Sequence, residues 1–214
     1  FKTDKSYLIK MLGIIKNYPE INVVMIAGNH DPYVSGSIYK KADETAFPEN
    51  LVFVRKEREI IDIENLNLRI FASSHCVKNP SIDPLEWIDT TDLLKNGFNI
   101  ALVHGSLGGK KYGIFENPTP VDPENVFKKK LDYVTLGDWH SFHKANDRMY
   151  YSGTHEPLEF DEKGGFLQVS IDTPANIPKV KPISLSLKKW EKLSFSISDD
   201  SFERKKNEIE KTLK

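Results

Sequence analysis

The chain has 214 residues, 39% of them hydrophobic, with a formal charge of -1 and a pI near 6.7. That is enough for one sizeable domain, or one domain plus a small appendage. It lacks the global basic field that advertises a nucleic-acid partner, although a local patch can suffice. A single cysteine, Cys76, excludes an internal disulfide framework and a Cys-rich zinc site, and fits a reducing cytoplasm. No apolar run approaches the roughly 20 residues needed to span a bilayer, and none reads as a signal peptide.

The opening "FKTDKSYLIKMLGII" already reads as an amphipathic helix rather than a start, as if the chain were entered midway. Over residues 4 to 17, Tyr7, Leu8, Met11, Leu12, Ile14 and Ile15 fall on a helical period, with Asp4 as cap. The β-branched run "INVVMIA" (21–27) predicts a buried strand, and short strands follow at 51–54, 58–63 and 68–74. Pro80, Pro84 and the acidic "DPLEWIDTTDLL" predict a loop leading into a helix. "NIALVHG" (99–105) and "DYVTLGDWH" (132–140) predict two more strands, separated by a loop rich in Gly and Pro; "RMYYSG" and "GFLQVSI" predict another pair. Three prolines between 174 and 182 mark a domain boundary. Beyond it, "SLSLKKWEKLSFSI" alternates like a strand and "DDSFERKKNEIEKTLK" begins a capped, charged helix.

One pattern recurs. "VVMIAGNHD", "NIALVHG" and "YVTLGDWH" are each an apolar strand that breaks at or near a glycine and delivers a histidine. In layered α/β proteins ligands gather at the carboxyl ends of strands, where loops present polar groups over a rigid sheet. Asn29, His30, His104, Asp138 and His140 could therefore aim at one point. Imidazole nitrogens with an amide oxygen and a carboxylate make a mixed shell suited to Mn, Fe or Zn more than to Ca or Mg. Against this stand the plainer readings: a lone histidine is usually a surface or satisfied core residue, and a lone Gly-Asn a turn.

"GNHD", then "VHG", then "LGDWH" followed by "YYSGTHEPLEFDEKGGFLQVSI", resembles the calcineurin-like metallophosphoesterases, in the right order over roughly residues 1 to 175. Within them it looks most like the nuclease subunit of SbcC–SbcD-type DNA repair complexes and the related YhaO-type exonucleases. The resemblance implies an α/β fold of four layers, αββα: a two-sheet β-sandwich flanked by helices, with two metal ions on loops at one edge. Carried over by position, Asn29 and His104 would bind the second metal and His140 the first. His30 would stand beside them to protonate the leaving oxygen or stabilise the pentacovalent transition state, with Asp31 orienting it. Attack on a phosphodiester needs a hydroxide at neutral pH and neutralisation of transition-state charge, both of which two metals supply. An imidazole, which titrates near neutrality, suits the leaving group.

Two departures matter. The family's usual G-H-x-H reads "GDWH" here, so Asp138 replaces a histidine. It is read as a ligand that hardens the site toward Mn or Mg, against the alternative that it only hydrogen-bonds a ligand's far side. The family's D-x-H and G-D motifs do not precede "GNHD", which leaves the expected nuclease domain (1–175) incomplete at its start and the expected opening of a capping, DNA-binding domain (176–214) incomplete at its end. Such a chain alone is expected to be inactive or nearly so. Elsewhere, His75 at a strand end either lines the cleft or is buried and structural, and Cys76 is expected to be inert. The Gly-rich "GSLGGKKYG" lacks a P-loop ending, but Lys110 and Lys111 could meet DNA phosphates, as could Lys128 to Lys130 on the cleft side.

The expected activity is manganese-dependent, two-metal hydrolysis of DNA by an exonuclease or endonuclease of double-strand-break repair. The implied partners are DNA, an SbcC-type ATPase and a second copy of the chain, with no membrane, in the cytoplasm. The alternatives are a small-nucleotide phosphodiesterase or phosphatase on the same core, or a DNA-binding scaffold with a degenerate metal site.

Overall fold

Residues 4–42, 47–77, 80–108, 119–158, 160, 162–187, 190, 192, 194 and 202–212 are described by the structure, a computed structural model. Helix α1 (Lys5–Lys16) starts where the sequence predicts: the Asp4 side chain accepts from Ser6 N at 2.8 Å and satisfies one of the orphan donors of the first turn. Leu8 and Leu12, four residues apart on one face, are buried against the β1 (Val23–Met25) and β2 (Leu51–Phe53) pair and the short helix α2 (Ile38–Lys41). Burying such a leucine is worth about 1.5–3 kcal/mol. The far end of α1 is closed from a distance, because Asn50 Nδ2 lies within 3.2 Å of the carbonyls of Ile15, Tyr18 and Ile21.

Strand β1 serves two layers by simple alternation. Val23 and Met25 face α1, whereas Val24 and Ile26 join Ile70, Ala72, Ile100 and Leu102 on the far side. Those last residues belong to the main sheet, formed by β3 (Arg58–Ile63), β4 (Leu68–Ser73), β5 (Phe98–His104), β8 (Tyr133–Gly137), β9 (His143–Asn146) and β10 (Met149–Tyr151), in the order β3-β4-β5-β8-β10-β9. The inner four are parallel and the two edges antiparallel. The opposite face, with Phe71, Ala101, Val103, Val134, Leu136 and Tyr151, is covered by Leu85, Ile88, Leu107, Val121, Leu131 and Val126 of α3 (Asn125–Lys128). A sheet buried on both faces explains why its strands read as near-continuous apolar runs. The fold is mixed α/β with several sheets.

The expected helix after Pro84 is absent. Residues 85–93 form turns and one 3-10 turn at Thr90–Asp92. Leu85 and Ile88 have helical spacing, but the Asp89 carboxylate caps Thr91 N at 2.8 Å, and Lys129 Nζ takes the carbonyls of Glu86 and Ile88 at 2.7 Å each. Beyond the main sheet, β6 (Ser106–Leu107) pairs in parallel with β7 (Pro120–Val121). Strand β11 (Gly165–Ser170) pairs antiparallel with β12 (Lys179–Ser184), which follows the turns at 172–176. Helix α4 spans Phe202–Thr212.

Candidate metal centre

Because β4, β5 and β8 are parallel, their carboxyl ends share one edge of the main sheet. Strand β1 brings its own carboxyl end to the same edge: Ala27 N donates to Ser74 Oγ at 2.9 Å, and Ala27 O accepts from His75 N at 3.0 Å. His104 closes β5 on the face that Ile100 and Leu102 present to β1, and Asn29 follows β1 two residues past Ala27. Strand alternation and sheet polarity thus force the two to meet. Asn29 Oδ1 lies 3.0 Å from His104 Nε2.

The third strand arrives in register, with His104 opposite Gly137, so Asp138 is the next residue at this edge. Its φ of +125° is one that L residues avoid, a strain of about 1–3 kcal/mol typical of functional loops. Asp138 Oδ1 faces His104 Nε2 at 3.6 Å, while Oδ2 accepts a short hydrogen bond from Ser106 Oγ. Burial pushes the Asp138 carboxyl up. Hydrogen bonding from His104 and Ser106, and the fields of His104 and His140, outweigh it and hold the group below the ordinary carboxylate range.

Two glycines make room for the imidazole. A Cβ on Gly28 would stand 2.8 Å from His104 Cε1, and one on Gly137 would stand 2.8 Å from Nδ1. Behind the ring sits His75, only 3% exposed, whose Nε2 donates to the His104 carbonyl at 3.1 Å and whose ring meets that of His104 edge-on at 5.0 Å. Of the two readings of His75, the geometry supports the buried, structural one.

His140, exposed in the loop after β8, presents Nδ1 to Glu162 Oε1 at 3.6 Å. His30 is exposed on the loop that carries Asn29. Asp31 is half-buried beside Tyr39, whose phenol is raised first by burial and then by the Asp31 charge. Trp139 stacks on Tyr151 with ring centroids 5.2 Å apart, behind the loop. Burial, above all, and then the Glu57 charge raise the Cys76 thiol above its ordinary value. Lys110 and Lys111 lie outside the described residues. Lys128 and Lys129 are engaged elsewhere, with Asp122 and with the 86–88 carbonyls.

Two groups, Ser106 and Glu162, and one contact, that of His75 with His104, were not singled out from sequence. Ser106 could have been, since it stands two residues past His104 and strand alternation returns it to the same side. The orienting contact of His75 depends on β1 docking against β4, and Glu162 reaches His140 from a loop without periodicity; neither leaves a local signal.

Among the described residues no three His, Cys, Asp or Glu side chains stand close enough to hold an ion by themselves. The donor set instead is one imidazole, one carboxylate and one amide. Neighbouring ligands on an ion with bonds of about 2.1 Å stand about 3.0 Å apart at a right angle and about 3.4 Å apart at the tetrahedral angle. The observed 3.0 and 3.6 Å spacings around His104 Nε2 bracket those values, so the residues present fit part of a divalent-metal shell.

No curated protein matches the chain closely enough to count as a relative. No helix among the described residues is long and apolar enough to cross a membrane. Residues 3–142, which carry all of α1 and the ends of β1, β5 and β8, match the family model for the calcineurin-like phosphoesterases. With that match over most of its length, the chain belongs to the calcineurin-like phosphoesterase family, metal-dependent hydrolases of phosphoester bonds that typically work with two ions.

Proposed function

We propose that this chain is the catalytic part of a phosphodiesterase acting on DNA, an exonuclease or endonuclease of the double-strand-break repair type. The observation that carries the hydrolytic reading is the meeting of Asn29 Oδ1, His104 Nε2 and Asp138 Oδ1 within 3.0 and 3.6 Å at one sheet edge, with His30 exposed on the loop beside it. The DNA reading rests on the resemblance of "GNHD", "VHG" and "YYSGTHEPLEF" to SbcD-type and YhaO-type nucleases. It brings with it two Mn(2+) ions, an SbcC-type ATPase, a homodimer, a cytoplasmic setting and the four-layer αββα arrangement.

In this reading Asn29, His104 and Asp138 hold one ion and His140 contributes to the other. Bound divalent ions would supply Lewis acidity and a hydroxide at neutral pH. The chain's own residues do the rest. Ser106 keeps one Asp138 oxygen occupied so that the other faces inward. His75 and the two glycines fix the His104 ring. His30, on a short exposed loop, reaches the departing oxygen and gives it a proton, and Asp31 orients His30.

The test is a manganese-dependent assay of the full-length polypeptide on bis-p-nitrophenyl phosphate and on linear double-stranded DNA, beside His30→Ala. Cleavage of both, lost in the variant, is the expected result. Cleavage of the small ester alone would replace DNA by small nucleotides as substrate. Silence on both, with less than one equivalent of metal bound, would sink the catalytic reading and leave a scaffold.

A further inference from the structure

His140 is held unevenly. Its carbonyl accepts from Thr154 N at 2.8 Å and from Thr154 Oγ1 at 3.2 Å, so its backbone is fixed. Its side chain is 49% exposed, and an exposed imidazole on two free torsions does not choose which nitrogen it offers. The group facing it is better anchored. The Glu162 side chain is only 13% exposed, and its Oε2 accepts from Leu158 N at 2.7 Å, which leaves Oε1 turned to His140 Nδ1 at 3.6 Å.

We propose that Glu162 is a positioning residue for the metal centre: its carboxylate holds the Nδ1 side of His140 so that Nε2 is the nitrogen presented to a divalent ion. The inference rests on the reading of His140 as a ligand given above. An ionised carboxylate only accepts, so the Nδ1 it faces carries the hydrogen and the lone pair is left on Nε2. Carboxylates that bind the far nitrogen of a ligating histidine fix its tautomer and raise its basicity. The separation of 3.6 Å is ion-pair range rather than hydrogen-bond range, and such contacts tighten when a site fills. Sequence separation hides the pair: Glu162 comes 22 positions after His140, beyond the β9–β10 hairpin.

The experiment uses the full-length polypeptide and needs no turnover. Mn(2+) binding is titrated by calorimetry, and the nitrogen-15 shifts of the His140 ring are read in the metal-free protein, for the parent, Glu162→Ala, Glu162→Gln and His140→Ala. Glu162→Ala is expected to weaken Mn(2+) binding about 10–100-fold and to shift His140 from one tautomer to a mixture. Glu162→Gln keeps the side chain's size but only one acceptor oxygen, which can serve Leu158 N and leave the amide NH2 facing Nδ1, so it covers a folding failure of the alanine variant; it should fall between. Unchanged affinity and tautomer in both Glu162 variants, with binding lost in His140→Ala, would overturn the role of Glu162 alone. Unchanged binding in His140→Ala would overturn the ligand reading beneath it as well.

Discussion

The two ends of the main sheet both bury polar groups, and they treat them in opposite ways. At the amino end the Asn99–Asp132 cluster pairs donors with acceptors inside the fold. Asn99 N donates to Asp132 Oδ2 at 2.7 Å and Asp132 N to Asn99 O at 2.8 Å; the Asn99 amide exchanges hydrogen bonds with Leu94 and reaches Gly97 O. Ala175 N and Arg148 complete the shell around Asp132. At the carboxyl end two acceptors, Asn29 Oδ1 and Asp138 Oδ1, face the same His104 nitrogen, which can carry one hydrogen at most. Complementary groups make structure; like groups gathered around a point make a place for something positive.

That contrast can be broken at either end. The largest effect should come from the carboxyl end: His30→Ala should lower turnover of the metal-loaded, full-length enzyme by about 10²–10⁴ while its melting temperature holds. Asp132→Ala should do the reverse, costing at least about 3 kcal/mol because it strips a buried cluster of its acceptor. Denaturant melts would show this, with activity per folded molecule retained. Equal losses of stability and activity in both variants would erase the distinction between the ends. Gly28→Ala should be next, since its Cβ would press on His104 Cε1; Mn(2+) affinity should drop about 10-fold or more with circular dichroism intact. Asn50→Ala, remote from both ends, should cost about 1–2 kcal/mol of stability and nothing in catalysis.

The smallest effect is one of pH. Burial raises the Asp83 carboxyl above its ordinary value, against hydrogen bonds from Asp122 N, Leu85 N and Asn125 Nδ2. A carboxyl raised in the fold contributes stability that is whole below its unfolded value, about 4, and is lost as pH rises through the folded value. Asp83→Asn should therefore flatten a slight decline in the denaturation midpoint above pH of about 4.

How much of this was legible in sequence depended on how local the cause was. Helix α1 and its Asp4 cap follow from residues within one turn of each other, and the ends of β1, β5 and β8 from an apolar run, a glycine and a histidine. The turns at 85–93 were not legible, because the competitor for the Glu86 and Ile88 carbonyls is an ammonium more than 40 positions away. Strand β9, "HKAN", has little strand propensity and exists by pairing with β10. In β12, Pro182 is tolerated because the two-stranded sheet leaves both its strands as edges.

The separation of Asn29 and His104 by 75 positions has a kinetic consequence. Neither α1 nor any single hairpin contains two members of the donor set: β1 lies in a separate two-stranded sheet, and β5 and β8 join by a parallel crossover. Such topologies close long loops before any contact rewards them, and they fold in milliseconds to seconds rather than microseconds. The centre is therefore among the last features to appear during refolding. An ion that binds there would act on the unfolding rate more than on the folding rate, lengthening the lifetime of the finished molecule.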